Sequence, residues 1–231
     1  MIPKSTQFSP LLYEFDWSSE VSDKLLQQQL TFKAKLLYAF NSKIVDLRIG
    51  FKTLTIALST PLESTVIDGW LKSLAPEESG DPLPETIWEI PVCYSPKAGR
   101  DLEILAENKS LTSEELISIH TAPLYRLHFY GFLPGFMYLN GLRKELHTSR
   151  KSVPDRMVPT GSVAIGGSQT GIYPSSSPGG WHLIGRTPVA LFVPNEPIPV
   201  FASVGERIEF IPITEKEFDQ LKRHPQKPNS K

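Results

Sequence analysis

The sequence predicts a small α+β domain of split βαβ, ferredoxin-like type over residues 1–85. A mainly-β barrel over 86–213 and a carboxy-terminal tail over 214–231 follow. Three observations carry this reading. Residues 21–40 repeat apolar side chains at three- and four-residue steps with neither glycine nor proline, which is the pattern of an amphipathic helix. Short alternating or apolar runs bounded by turn residues recur through the rest of the chain, which is the strand signal. Ten of the 15 glycines fall within 131–188, among prolines and the aromatics Phe132, Phe136, Tyr138, Tyr173 and Trp181. Glycine admits positive φ, and proline fixes φ without donating a hydrogen bond. That stretch therefore reads as rigid loops pinned by aromatic anchors, a surface suited to binding or catalysis.

Taken in order, LLYEF at 11–15 is a short strand, and Ser18 or Ser19 offers the N-cap of the long helix. Residues 44–49 (IVDLRI) and 54–58 (LTIAL) are strands joined by a turn at Gly50-Phe51-Lys52. Pro61 opens a second helix through Leu74, because its missing donor is harmless in a first turn. The prolines, glycine and acids of 76–84 (PEESGDPLP) mark the domain boundary. A strand at 86–94 that pairs back onto the first sheet completes the order β-α-β-β-α-β. Two short helices follow, one at 101–107 and one running from a capping box at Thr112 and Glu115 to near His120. YRLHFY at 125–130 is a strand leading into Gly131. Strands at 189–193, 200–201 and 205–213 and a helical turn at 215–222 end the chain. Short strands between turns predict a closed or nearly closed antiparallel barrel.

Composition excludes several functions. A net charge of −1 offers no clustered basic face for nucleic acid. The basic residues Lys222, Arg223, Lys227 and Lys231 read as a solvated, frayed end. No apolar run approaches the ~20 residues of a membrane span, and MIPKSTQFSP lacks the apolar core of a signal peptide. The single cysteine, Cys93, lies in an apolar run that reads as core, rules out an internal disulfide and suits the cytoplasm. Five histidines without HxxxH or HExxH spacing, and one cysteine, supply no metal site.

Gly161 to Gly166 has the first spacing of a phosphate-binding loop, but Gly167 stands where its lysine belongs. Gly166-Gly167-Ser168-Gln169-Thr170 departs from a nucleophile elbow at Thr170. The amides of 166–171 form either an anion-binding nest or a tight turn between strands. His120 sits at a predicted helix end, where it either complements the dipole or serves catalysis. His128 reads as structural. Arg150, Arg156 and Arg186 flank the loop surface, the last two locked in rigid segments and suited to bidentate capture of carboxylate or phosphate. Gln169 and Tyr173 suit the orientation of a small amide-like ligand, and Trp181 either walls a pocket or packs in the core. The residues point to a small-anion or amide site without an evident nucleophile.

The stretches GFLPGFMYLNGL, VPTGSVAIGGSQTGIYPSSSPGGWHLIGRTP and IHTAPLYRLHFYGF resemble the allophanate hydrolase subunit 1 family. Members of that family include the small subunit of bacterial ATP-dependent 5-oxoprolinase and an inhibitor of a sporulation histidine kinase. The likeness is strongest over 90–192. It implies a cyclophilin-like barrel preceded by a small α+β domain. It also implies a larger partner, the family's subunit 2, and a third, lactam-opening subunit. With these, ATP and Mg bound in the complex would drive conversion of 5-oxoproline to glutamate, and the chain alone would be inactive. The other roles the family implies are inhibition of a histidine kinase or a place in a urea or allophanate enzyme. Carried onto this sequence, the matching residues are His120, Gly131, Pro134, Gly135, Gly161, Gln169, Thr170, Tyr173, Pro178, Gly179, Gly180, Trp181, Gly185 and Arg186. The roles expected are His120 as general acid/base and Arg186 and Arg156 as anion partners. Gln169, Thr170, Tyr173, Gly179, Gly180 and Trp181 would form the substrate-facing edge. Met137, Ser149 and Asp155 stand where the family usually has proline.

Overall fold

The buried apolar residues fall into separate cores, and the chain divides with them into two compact units, Met1–Leu83 and Pro84–Lys231. The structure is a computed structural model that describes residues 2–74 and 80–231. Residues 76–79 of the predicted boundary lie outside the described residues.

In the first unit, β1 (Lys4–Ser9), β2 (Leu12–Asp16), β3 (Ile44–Ile49) and β4 (Thr53–Leu58) form an antiparallel sheet in the order β1-β2-β4-β3. Strands β2 and β4 alternate, burying Tyr13 and Phe15 from one and Leu54, Ile56 and Leu58 from the other. Helices α1 (Asp23–Phe40) and α2 (Ser64–Ser73) add Leu25, Phe32, Leu36, Ile67 and Leu71 to the same core. Phe32 is its centre, edge-on to Phe15 at 4.9 Å and to Trp17 at 5.2 Å.

Three expectations change here. The cap of α1 is Ser22, whose hydroxyl accepts from Leu25 N at 3.2 Å, and not Ser18 or Ser19. Buried Trp17 is pinned by its amide to the Lys52 carbonyl, so the chain must extend from there before the helix can begin. Helix α2 starts at Ser64 and not at Pro61, because the Tyr13 hydroxyl holds the Leu62 carbonyl at 2.7 Å with Leu62 buried ahead of the helix. The strand β5 (Ile87–Cys93) does not close this sheet as the split βαβ order required. The edge beside β2 is filled by β1, and β5 belongs to the second unit.

There β5, β6 (Tyr125–Tyr130), β7 (Met137–Asn140), β9 (Ser162–Gly166), β10 (Gln169–Ile172), β12 (His182–Arg186) and β13 (Arg207–Ile213) form a closed barrel of seven strands. Its order is β12-β9-β10-β7-β6-β13-β5, and the pair Arg186 with Cys93 closes the ring. The barrel is not wholly antiparallel. Strands β5 and β13 run parallel over seven registered pairs, from Arg207 with Ile87 to Ile213 with Cys93. So far apart in the chain, they are under no hairpin constraint. A short outer pair joins β8 (Asp155–Val158) to β11 (Ser177–Gly179). The glycine-rich stretch thus carries six short strands between its loops. Residues 189–193 and 200–201 are irregular: Pro188, Pro194 and Pro199 flank them, and single bonds such as Val193 N to Pro199 O and Ala190 N to Gln226 O replace a ladder.

Helices α3 (Leu102–Asn108) and α4 (Ser113–Thr121) follow the sequence pattern. Thr112 accepts from Glu115 N at 3.1 Å while the Glu115 carboxylate accepts from Thr112 N at 2.7 Å. The tail is not frayed. It forms α5 (Glu215–Lys222), capped by Thr214, and then β14 (Asn229–Ser230), which pairs with β5. Lys231 bridges Glu89 at 2.8 Å and Glu209 at 2.7 Å. Among the described residues no helix is long and apolar enough to cross a membrane.

Gln29 of α1 is wholly buried and donates to the carbonyls of Gly50 and Thr53, at 3.1 Å each. Gln29→Leu removes both bonds and leaves buried carbonyl capacity unmet, at a cost of about 1–3 kcal/mol. A lowered urea midpoint for the amino-terminal unit is the expected result.

Candidate functional site

Strand β10 organises the site because its two faces do different work. Its inward residue Thr170 and the helix-end residue His120 are both fully buried and meet at 3.0 Å. The Thr170 hydroxyl donates to the Ala164 carbonyl at 3.0 Å, so it accepts from His120 Nε2–H. Nδ1 then accepts from the Tyr94 hydroxyl at 2.9 Å. The ring lies stacked on Phe210 at 4.8 Å, and the Tyr125 hydroxyl donates to the His120 carbonyl at 2.6 Å. Burial lowers the imidazole from the usual 6.5 to about 3, and it raises the Tyr94 phenol well above its ordinary range. His120 is therefore a neutral, fully bonded group of the barrel interior. It reaches the surface only through the strand it holds.

The outward side of β10 and its neighbours is an aromatic floor. Gly166 carries no Cβ because the indole of Trp181 occupies that place: a Cβ there would stand 2.6 Å from three ring atoms. At Gly171 it would stand 2.7 Å from the Met137 carbonyl and 3.1 Å from the Phe136 ring. Phe136 meets Tyr173 edge-on at 5.0 Å and Trp181 at 5.5 Å, with Tyr138 5.8 Å from Trp181 and stacked on Phe129 at 4.4 Å. Phe132 extends the floor at a φ of +62°, 62% exposed, with its edge toward Phe136 and Tyr173. Gln169 pairs directly with Gly166 and lies two residues from Gly171, so its side chain shares this face.

Above the floor stands Arg150. Its guanidinium carbon is 5.6 Å from the centre of the Trp181 ring. The backbone around it is clamped on both sides: Thr148 pairs with Gly167, the His182 ring donates to the Ser149 carbonyl at 3.0 Å, and Lys151 N donates to Gly180 O at 2.7 Å. Burial raises Tyr138, and the charge of Arg150 acts the other way. Burial likewise drives Tyr173 up to about 12 against a bond to the Trp181 backbone and the same arginine. One cation thus stands over the Trp181 ring, and its charge is felt at Tyr138 and Tyr173.

The expected site residues separate into groups. His120 and Thr170 come together inside the barrel. Tyr173, Gly179 and Trp181 come together under the floor and are buried, so they support the surface more than they line it, and Gly180 holds Lys151. Gln169 shares the face of Arg150. Arg156 is exposed on β8, beside Asp155, which binds Arg100 at 2.6 Å and Lys151 at 2.8 Å. Arg186 lies at the far end of β12 from Trp181, with its Nε bonded to the Thr160 carbonyl. The residue that the sequence pattern understates is Arg150. Its signal is an arginine between Ser149 and Lys151, with nothing local to mark it as held.

Comparison with known proteins bears on this geometry. The family described as carboxyltransferase domain, subdomain C and D, matches residues 5–202. A 5-oxoprolinase subunit of Bacillus subtilis is 42% identical over 186 residues, spanning 80% of this chain and 77% of that protein. Its namesake in Haemophilus influenzae is 40% identical over 190 residues, spanning 80% and 86%. Among solved structures, TTHA0988 has a TM-score of 0.73 at 31% identity over 87% of this chain, which spans only 40% of TTHA0988. The K. lactis urea amidolyase shares the fold, with a TM-score of 0.80 at 16% identity over 100% of this chain and 16% of its own.

Two outcomes follow from the buried ring and the glycine floor. Folded His120 stays neutral to about pH 3, whereas the unfolded imidazole takes up a proton below its usual 6.5. The unfolded state therefore binds more protons between those values, and stability falls with pH by up to about 1.4 kcal/mol per unit. Urea titrations between pH 7 and 4.5 should show this component in the native chain and lose it in His120→Gln. Gly166→Ala must push the Trp181 ring aside, at a cost of about 1–3 kcal/mol. Tryptophan fluorescence and the urea midpoint should shift together.

Proposed function

The chain belongs to the carboxyltransferase family of subdomains C and D, alongside proteins named as 5-oxoprolinase subunits, and from that membership we propose that it is the small subunit of an ATP-dependent 5-oxoprolinase. On this reading it works with a larger subunit and a third, lactam-opening subunit to convert 5-oxoproline to glutamate.

Arg150 over Trp181 is the observation that favours this substrate. 5-Oxoproline is a compact cyclic amide with one carboxylate. A guanidinium held in place takes a carboxylate bidentately, and the half-buried ring of Tyr138 with the exposed ring of Phe132 offers the lactam an apolar wall. The Gln169 amide both donates and accepts, which matches a lactam C=O and N–H. Transfer of phosphate to the lactam oxygen would make the ring carbon electrophilic. The contribution of this chain is to orient the ring and to place positive charge beside it. His120 acts through Thr170 as a positioning residue.

The glycine run fits no nucleotide cradle in this chain: Ser162–Gly166 is a buried strand, and Gly167 is the turn into β10. On the proposed reading, ATP and Mg bind in the assembled complex, through the partner subunits. The free, buried Cys93 and the need for ATP suit the cytoplasm.

The test is reconstitution with the larger and lactam-opening subunits, followed by assay of glutamate formed from 5-oxoproline with and without ATP. ATP-dependent glutamate from the complex, and none from this chain alone, is expected. Arg150→Ala should lower kcat/KM about 100-fold with the complex intact. A stable complex that leaves 5-oxoproline unchanged would overturn the reading.

A further inference from the structure

Away from the aromatic floor, a hollow of about 140 Å³ opens where the barrel closes, between the end of β12, the turn after β5, and α5. Arg186 forms one wall. Its Nε–H donates to the Thr160 carbonyl at 2.7 Å, and its guanidinium lies 5.9 Å above the Phe218 ring. Those two contacts fix its plane and leave the terminal N–H groups of the fork to point elsewhere. Glu215 and Asp219 line the same hollow, yet among the described residues no carboxylate pairs with Arg186. Glu215 approaches only Lys97, at 3.8 Å. Ser95 is also on the wall, and its hydroxyl is buried without a hydrogen-bond partner. Burial disfavours the charged form of Arg186, as expected of a half-buried guanidinium that no counter-charge compensates.

Apart from the Lys97–Glu215 pair, the charged groups of this small space do not satisfy one another. A simple anion entering it would meet Arg186 and Ser95 but be opposed by two carboxylates. A simple cation would meet the carboxylates but be opposed by Arg186 and Lys97. Only a ligand carrying both signs answers all of these groups. The hollow is well below the ~300–1,000 Å³ of drug-sized sites, which restricts the ligand to a few heavy atoms. We infer that this hollow binds a free α-amino acid, with its carboxylate on Arg186 and Ser95 and its ammonium on Asp219 and Glu215. Glu215, Phe218 and Asp219 lie beyond residue 202, outside the segment the family matches. The inference does not depend on the 5-oxoprolinase reading.

The experiment is calorimetric titration of the purified full chain with L-alanine and L-glutamate as probes. Propionate and propylamine serve as controls that carry one charge each. Saturable binding of at least one amino acid is expected, with each control at least about tenfold weaker. Arg186→Gln and Asp219→Asn should each abolish binding with circular dichroism unchanged. Asp219 is exposed on α5, so its variant tests the site even if Arg186→Gln fails to fold. Absence of saturable binding, equal binding of propionate, or binding that survives Asp219→Asn would overturn the proposal.

Discussion

Aromatic rings laid against strand positions that have no Cβ are the constraint on which the second unit depends. Trp181 rests on Gly166, Phe136 against Gly171 and Tyr173 against Gly179. With Val158, Ala164 and Leu183, these rings make a second core on the outside of the barrel, separate from the one inside it. Any side chain at those glycines would lift a ring away, and with it the support under Arg150. The glycines are thus packing residues, and their conformational freedom is secondary. Gly167 is different: at a φ of +68° in the turn between β9 and β10, with open space where a Cβ would stand, it needs the left-handed region for its own sake.

The strand between the two cores separates two electrostatic environments. Inside, a histidine gives up its charge and commits its hydrogen bonds to Tyr94 and Thr170. Outside, an arginine keeps its charge over an indole face, where the cation–π attraction requires no counter-ion. Alternation along β10 places Thr170 on one side and Gln169 and Gly171 on the other, so a change at the buried ring reaches the surface through one peptide unit. An interior histidine can therefore matter to a surface reaction without touching it.

The same division of labour explains why the chain has the look of half a site. Arg150 is exposed above rings that are mostly buried, and no nucleophile or phosphate cradle accompanies it among the described residues. On the proposed function, an arrangement of that kind would orient a ligand and stabilise charge, with the bond-making groups supplied by the partner subunits. Membership in a carboxyltransferase family whose relatives are named as subunits accords with this.

Several features were legible in the residues alone. The period of 21–40, the alternation of 125–130 and the reciprocal cap at Thr112 and Glu115 each determined a local element, because each depends on neighbours within one turn or one strand. The glycine-rich segment was legible as a place of importance and as a family likeness, but not as six short strands, since its glycines answer to rings elsewhere in the chain. Strand β1 was hidden because KSTQFS has almost no buried face and hence no apolar alternation. Where Ile87–Cys93 belongs could not be read, because an apolar strand fits either sheet and its partner, β13, lies more than a hundred residues away. His120 was visible as a residue of interest, but its neutrality came from burial that only packing supplies. Arg150 became a candidate site residue through its contact with Trp181 and through the bonds of its neighbours Thr148 and Lys151 to Gly167 and Gly180, which no local pattern encodes. Sequence by itself determined the locally patterned elements and the family likeness; pairing across long separations, and the charge states that follow from it, were decided by the tertiary structure.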